Sequence, residues 1–216
     1  MTPLAEFNIH SDAFAAARVF ALTSPDPSST MPRTPAHMAL HTTDPPSPPF
    51  LSPYPDKLSK RLKLSVVPLD ITMRHVLHEA AFLNVVQPLR KAGSPLATWV
   101  SAFVGPVFRR SLDRTIALHD PLAVWYAFTS DAGWEVAEDQ DVRVEASGQW
   151  SRGAMVVDRR GRAKKKRGSE RGDIGDWLDV DKGNKVGVVK ESPGDGASRF
   201  GEEMVQRIFE PELGKE

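Results

Sequence analysis

The chain contains no cysteine in 216 residues. That absence excludes disulfides, thiolate metal centres and cysteine nucleophiles, and it fits an intracellular protein. An excess of charge of either sign is missing too. The 28 Lys and Arg are matched by 28 Asp and Glu, for a formal net charge of zero. No global field then steers the chain to nucleic acid or to an anionic membrane surface. No apolar run reaches the roughly 20 residues of a spanning helix. The first residues lack the basic start and continuous apolar core of a secretory signal. The expectation is a soluble, cytoplasmic chain without a membrane partner.

Proline is plentiful and unevenly placed. Ten of the 18 prolines fall between Leu22 and Asp56, among Ser and Thr, with neither helical nor alternating patterning. Such a segment buries too little apolar surface to offset its ordering entropy, so 22–56 is expected to be a disordered insertion. His37 and His41 within it have no helical support for a metal site. The run Arg159-Arg160-Gly161-Arg162-Ala163-Lys164-Lys165-Lys166-Arg167 marks a basic loop over 159–172. A nuclear import signal or nucleic-acid patch is one interpretation of 159–167. A solvated loop is favoured, because Asp173, Asp176, Asp179 and Asp181 follow and cancel the field.

Elsewhere the periodicity alternates between helix and strand. Ser11 and Asp12 are placed to cap a helix to about Leu22, preceded by a loop holding Glu6 and Asn8. A strand is expected over Leu62–Leu69, followed by a helix start at Asp70-Ile71-Thr72 on which His75 and His78 share a face. Residues 82–92 continue helically up to an interruption near Pro88. Ser94-Pro95 opens a helix to about Asp113 with Leu96, Trp99, Val100, Phe103, Val104, Val107 and Phe108 on an apolar stripe. Val142–Ala146 and Trp150–Val157 form a hairpin around Ser147-Gly148. A strand over 185–190 and an amphipathic helix over 198–209 complete the chain. Asp179–Gly183 fails as a calcium loop, since its Gly is one position early and no Glu stands at the twelfth.

The stretch Leu118-His119-Asp120-Pro121-Leu122-Ala123-Val124-Trp125-Tyr126-Ala127-Phe128 carries the most chemistry. Asp120 suits an N-cap and Pro121 the first helical position, and the apolar run behind them predicts a buried helix. A carboxylate is favoured at the positive end of a helix, where it can ligate a hard cation. The neighbouring imidazole moves protons near neutral pH. The same residues also suit an ordinary capping aspartate after a chance histidine.

Leu118-His119-Asp120-Pro121-Leu122-Ala123 resembles the late His-Asp-Pro motif of the inosine-uridine preferring nucleoside hydrolase family. Thr2-Pro3-Leu4-Ala5-Glu6-Phe7-Asn8 resembles that family's Ala-Glu-Phe-Asn ribose-binding segment. Val67-Pro68-Leu69-Asp70-Ile71-Thr72 resembles its Leu-Asp-Val-Thr strand end, and the three occur in the family's order. The resemblance implies an α/β fold: the C-terminal part, over 1–216, of a nucleoside-hydrolase-like domain with a largely parallel sheet and a late β-hairpin. It implies hydrolysis of a ribonucleoside to ribose and free base. Asp120 would be a calcium ligand that also meets the ribose, and His119 the acid beside the departing base. Glu6 and Asn8 would bind ribose hydroxyls, with Phe7 near the sugar or base.

The family also carries an Asp-rich Asp-x-Asp-Pro-Gly-x-Asp-Asp loop, which supplies the water-activating Asp and most Ca2+ ligands. It is not found here; Asp139-Gln140-Asp141 and Asp179-Val180-Asp181 come nearest and lack the Pro-Gly context. The Ca2+ site is therefore expected to be incomplete, and the chain to be the C-terminal part of a longer hydrolase with doubtful activity alone. A homo-oligomer is compatible with the sequence. The competing expectation is a non-enzymatic interaction protein or relic that docks through its Pro-rich and basic segments. Limited proteolysis should nick the chain first within 22–56 and 159–172. Early cleavage inside Pro121–Phe128 would contradict this division.

Overall fold

A computed structural model describes residues 2–32, 59–166, 172–194 and 199–213. The chain is a mixed α/β protein with a sheet that includes parallel pairing and with a late hairpin. Strands β1 (Leu64–Val66), β4 (Glu135–Gln140) and β7 (Val186–Glu191) lie in the order β1-β7-β4. The chain divides into two compact units, Met1–Ser65 with Ala137–Val188 and Val66–Val136 with Val189–Glu216.

The first unit begins with α1 (Phe7–Ser11) and α2 (Ala13–Ala21). Asp12 caps α2 as expected, its Oδ1 accepting the Ala15 N–H at 2.8 Å. The buried side of α2, Ala13, Ala17, Phe20 and Ala21, packs on β5 (Val142–Val144). β5 pairs antiparallel with β6 (Met155–Val157) in the register Val142↔Val157, giving the expected hairpin. The insertion expected to be structureless from residue 22 instead begins with an ordered turn. Thr23 and Ser24 are buried, and a 3-10 turn spans Pro27–Ser29. The reason is hydrogen bonding that composition does not reveal. Thr30 Oγ1 donates to Asn184 Oδ1 at 2.6 Å, and the Lys185 N–H donates to Thr23 Oγ1 at 2.9 Å. Residues 33–58, with His37 and His41, lie outside the described residues.

The basic run is tied down along its described part. Lys165 exchanges backbone hydrogen bonds with Leu178 and Val180, at 2.8 and 3.1 Å. Arg160 joins Asp158 and Asp173, each at 2.8 Å. Lys164 reaches Asp141, which also holds Arg143. Residues 167–171 lie outside the described part.

The second unit holds α3 (Leu69–Thr72), β2 (Val76–His78), α4 (Glu79–Lys91), α5 (Pro95–Arg110), β3 (Thr115–Ala117), α6 (His119–Thr129) and α7 (Phe200–Leu213). Ser94 caps α5, accepting the Ala97 N–H at 3.0 Å, with Pro95 first in the helix. One core gathers Leu77, Phe82, Val86, Ala97, Phe108, Leu118, Val205 and Phe209. A second gathers Ile71, Leu122, Trp134 and Val189. The helix expected through His75 and His78 ends at Thr72. β2 follows and pairs antiparallel with β3, Leu77 opposite Ile116. His75 is fully buried before that strand, its Nε2 3.0 Å from Ser192 Oγ, and His78 is exposed at the strand end. The stripe expected on α5 is only partly used: Phe108 is buried, whereas Trp99 and Phe103 are largely exposed and stack edge-on at 4.7 Å.

Asp158 is drawn down to about 2, first by the Arg160 side-chain hydrogen bond. Asp173 is also lowered, first by the Leu178 N–H and then by Arg160. Both carboxylates bind protons less readily when folded than when unfolded. Their stabilisation is therefore complete above the ordinary aspartate value of about 3.9 and is lost as pH falls below it, for Asp158 through about 2. Arg160→Met should flatten the fall of melting temperature with pH across this window. Equal slopes for the variant and the parent would remove the pair from the stability account.

Candidate active site

The candidate residues are held by different elements. In the first unit, Glu6 is not a plain loop residue but the N-cap of α1. Its Oε2 accepts the Asn8 N–H at 2.8 Å and its Oε1 accepts the Ile9 N–H. Local geometry explains this, since the first amides of a helix lack intrahelical partners and a carboxylate satisfies two of them. Phe7, 68% exposed, and Asn8 project from the first turn of α1. The segment is fixed by the turn at Gly153, which has φ +85° and comes so close that a Cβ would lie 2.9 Å from Ala5 Cβ and 3.0 Å from His10 Cα. Arg152 Nη1 donates to the His10 carbonyl at 2.9 Å and completes the attachment.

In the second unit, α6 starts two residues earlier than expected. Leu118 occupies the N-cap, its carbonyl accepting the Leu122 N–H at 3.1 Å, so His119 is the first helical residue and Asp120 the second. Asp120 therefore makes no side-chain cap, yet it stays in the first turn, where the helix favours its charge. Pro121 remains among the first four residues, whose N–H groups have no intrahelical acceptor. The buried helix expected behind it is buried only at Leu122. Trp125 and Tyr126 pack against the second core from a half-buried position, and Phe128 is 83% exposed.

His119 is half-buried and Asp120 exposed. His119 Nδ1 lies 2.7 Å from Oγ1 of Thr72, whose residue is only 3% exposed. Two of the sequence motifs, Leu69–Thr72 and His119-Asp120, thus meet within one unit. The motif identified Thr72 as a strand-end residue and hid its side-chain role; only packing shows it. Two backbone hydrogen bonds set the spacing. The His75 N–H donates to the Thr72 carbonyl at 3.0 Å, and the Leu118 N–H to the His75 carbonyl at 2.9 Å. Around His75, Trp125 stacks on Phe200 at 4.7 Å and meets Trp134 edge-on at 5.0 Å.

Calcium prefers six to eight oxygen ligands, and Asp120 offers one carboxylate. Among the described residues no group of three or more His, Cys, Asp or Glu could hold a metal ion. The described residues therefore do not fit a calcium ion. A protonatable ring and a carboxylate side by side at a helix start can instead give a proton and accept sugar hydroxyls.

Residues 1–184 match the sequence model of the inosine-uridine preferring nucleoside hydrolases, and the chain belongs to that family. Among solved structures, an inosine-guanosine nucleoside hydrolase is similar at 14% identity and a TM-score of 0.43, over 64% of this chain and 35% of that one. The match thus spans well under two thirds of that protein's length. No curated protein matches. Among the described residues no helix is long and apolar enough to cross a membrane.

If the Glu6 carboxylate is a helix cap, Glu6→Ala should cost roughly 0.5–2 kcal/mol in urea unfolding. A change near zero would release Glu6 from that structural role.

Proposed function

We propose that this chain carries the leaving-group side of a ribonucleoside N-ribosyl hydrolase site, with His119 as acid and Asp120 as the carboxylate facing the ribose. The observation that carries this is the His119 ring, held through Nδ1 by a buried hydroxyl and followed directly by an exposed carboxylate. In the reaction, water adds to the anomeric carbon as the C–N bond breaks, and the bonding electron pair leaves with the base. The transition state resembles an oxocarbenium ion, as in glycoside hydrolysis, and protonating the leaving group lowers the barrier. His119 delivers that proton from Nε2 to a base nitrogen. The family description and the three motifs support inosine and uridine as the substrates to try first. The same resemblance assigns Glu6 and Asn8 to ribose hydroxyls and Phe7 to the sugar or base; Phe7 and Asn8 are exposed in their own unit. Removing the proton from water needs a further base, and a calcium ion needs carboxylates beyond Asp120.

The alternative docking function through the basic run has less support, because Arg160 and Lys164 are committed to ion pairs.

Titrating the 216-residue chain with inosine or uridine should shift the His119 ring resonances, and Asp120→Ala should weaken that response. Ribose release in calcium should stay near background, and calcium itself should bind weakly. Where turnover is measurable, His119→Ala should lower it by about 10²–10⁴-fold, and less for ribosides whose leaving group needs no proton. Ring resonances indifferent to both nucleosides would overturn the site. Turnover by the chain alone at the roughly 10 s⁻¹ of ordinary enzymes would overturn the need for further carboxylates.

A further inference from the structure

We propose that Thr72 is a positioning residue: its buried hydroxyl donates to His119 Nδ1, so that the neutral ring carries its proton on Nε2, the edge that faces away from Thr72. The inference rests on His119 as the group beside the departing base and adds what orients it.

The first support is how other helical hydroxyls behave. Ser11, Thr98, Ser101 and Thr129 each donate to the carbonyl four residues earlier, at 2.7 to 2.9 Å. That local bond is the usual fate of a hydroxyl inside a helix. Thr72 departs from it. The Pro68 carbonyl already accepts two backbone N–H groups, those of Ile71 and Thr72, each at 3.0 Å, and the Thr72 hydroxyl turns to His119 at 2.7 Å. Its residue is 3% exposed, so bulk water does not offer an alternative acceptor. A buried hydroxyl proton without an acceptor is costly, and a bare imidazole nitrogen provides one.

The second support is the rigidity of both partners. Ile71 and Leu122, neighbours of the two residues, are buried in one apolar cluster. The backbone bonds from Thr72 through His75 to Leu118 fix the same separation independently of side chains. Neither partner can withdraw without breaking packing or a buried backbone bond. Which ring nitrogen reacts is normally set by the hydrogen bond that the other one makes.

The contact suits both protonation states. In the neutral ring Thr72 donates to Nδ1, and Nε2–H faces outward. In the doubly protonated ring Nδ1–H donates to Oγ1, and Nε2–H still faces outward. On leaving-group protonation the Nε2 proton passes to the base nitrogen, which keeps the electrons of the broken C–N bond. The ring left behind carries its proton on Nδ1, held on Thr72 Oγ1, and returns to the Nε2–H form when Nε2 takes a proton from water and Nδ1 releases its own.

The test is two-bond nitrogen–proton correlation of 15N-labelled histidine in the 216-residue chain, with Thr72→Ser and Thr72→Val, under conditions where the ring is neutral. The parent and Thr72→Ser should show one tautomer, protonated at Nε2, with Nδ1 shifted as a hydrogen-bond acceptor. Thr72→Val should move Nδ1 to the position of a bare nitrogen and admit the second tautomer. A parent ring protonated at Nδ1 would overturn the proposal. So would a folded Thr72→Val chain with unchanged ring signals. The parent spectrum alone decides the tautomer if Thr72→Val fails to fold. Inosine titration separates the two inferences: ring signals that report the clamp yet ignore nucleoside would remove the hydrolase site and leave the role of Thr72 standing.

Discussion

The second unit depends on the small apolar cluster of Ile71, Leu122, Trp134 and Val189. A four-residue helix such as α3 has no stability of its own, because nucleation costs more than one turn returns. Burying Ile71 supplies what the turn lacks, at roughly 1.5–3 kcal/mol for a fully buried aliphatic side chain. Leu122 does the same for the start of α6, whose other apolar residues are mostly left on the surface. Thr72 and His119 each stand beside one of these anchors, so the proton-bearing ring inherits its position from apolar packing.

The first unit is organised around polar groups. Buried Asn184 accepts from Thr30, donates from Nδ2 to the Val142 carbonyl at 2.7 Å, and gives its backbone N–H to Asp141 at 2.9 Å. Asp141 in turn holds Arg143, which lies over the Trp177 ring at 3.7 Å. Removing one partner from such a network leaves the others buried without compensation, which is why its members stay together. The basic run joins the same network through Lys164, and its charge serves attachment more than display.

Membership of the nucleoside hydrolase family sets the chemistry to look for, and the arrangement of this chain narrows it. In the proposed site a proton donor and a sugar-facing carboxylate address the leaving base. They do not address the activation of water, which in glycosyl transfer falls to a second group on the opposite side of the sugar. Asp120 by itself cannot replace a calcium shell. In the proposed site the division is between departure of the base, assigned to His119 with Thr72 behind it, and attack of water, which demands more carboxylates.

Local sequence signals were sufficient at several caps and at the hairpin, but they missed Glu6 as the cap of α1 and misplaced the cap of α6 at Asp120. Asp12 ahead of α2, Ser94-Pro95 ahead of α5 and the alternation of Val142 and Val144 were legible because capping and pleating act over two to four residues. The His119-Asp120 pair was legible for a similar reason, as contiguous residues in a motif. Where partners lie far apart in the chain, the sequence was silent or misleading. His75 and His78 have helical spacing, but pairing of Val76–His78 with Thr115–Ala117 put His78 at the end of a strand and left His75 just before it. The apolar run after Pro121 suggested a buried helix, but only Leu122 found a core. The turn at 22–32 resembled its proline-rich continuation until Asn184 and Lys185, more than 150 residues away, supplied its hydrogen bonds. By itself the sequence determined the caps at Asp12 and Ser94 and the hairpin, and it singled out His119 and Asp120 as candidates. The tertiary structure decided which face is buried and that Thr72 meets His119, because both follow from contacts between residues whose separation along the chain carries no periodic signal.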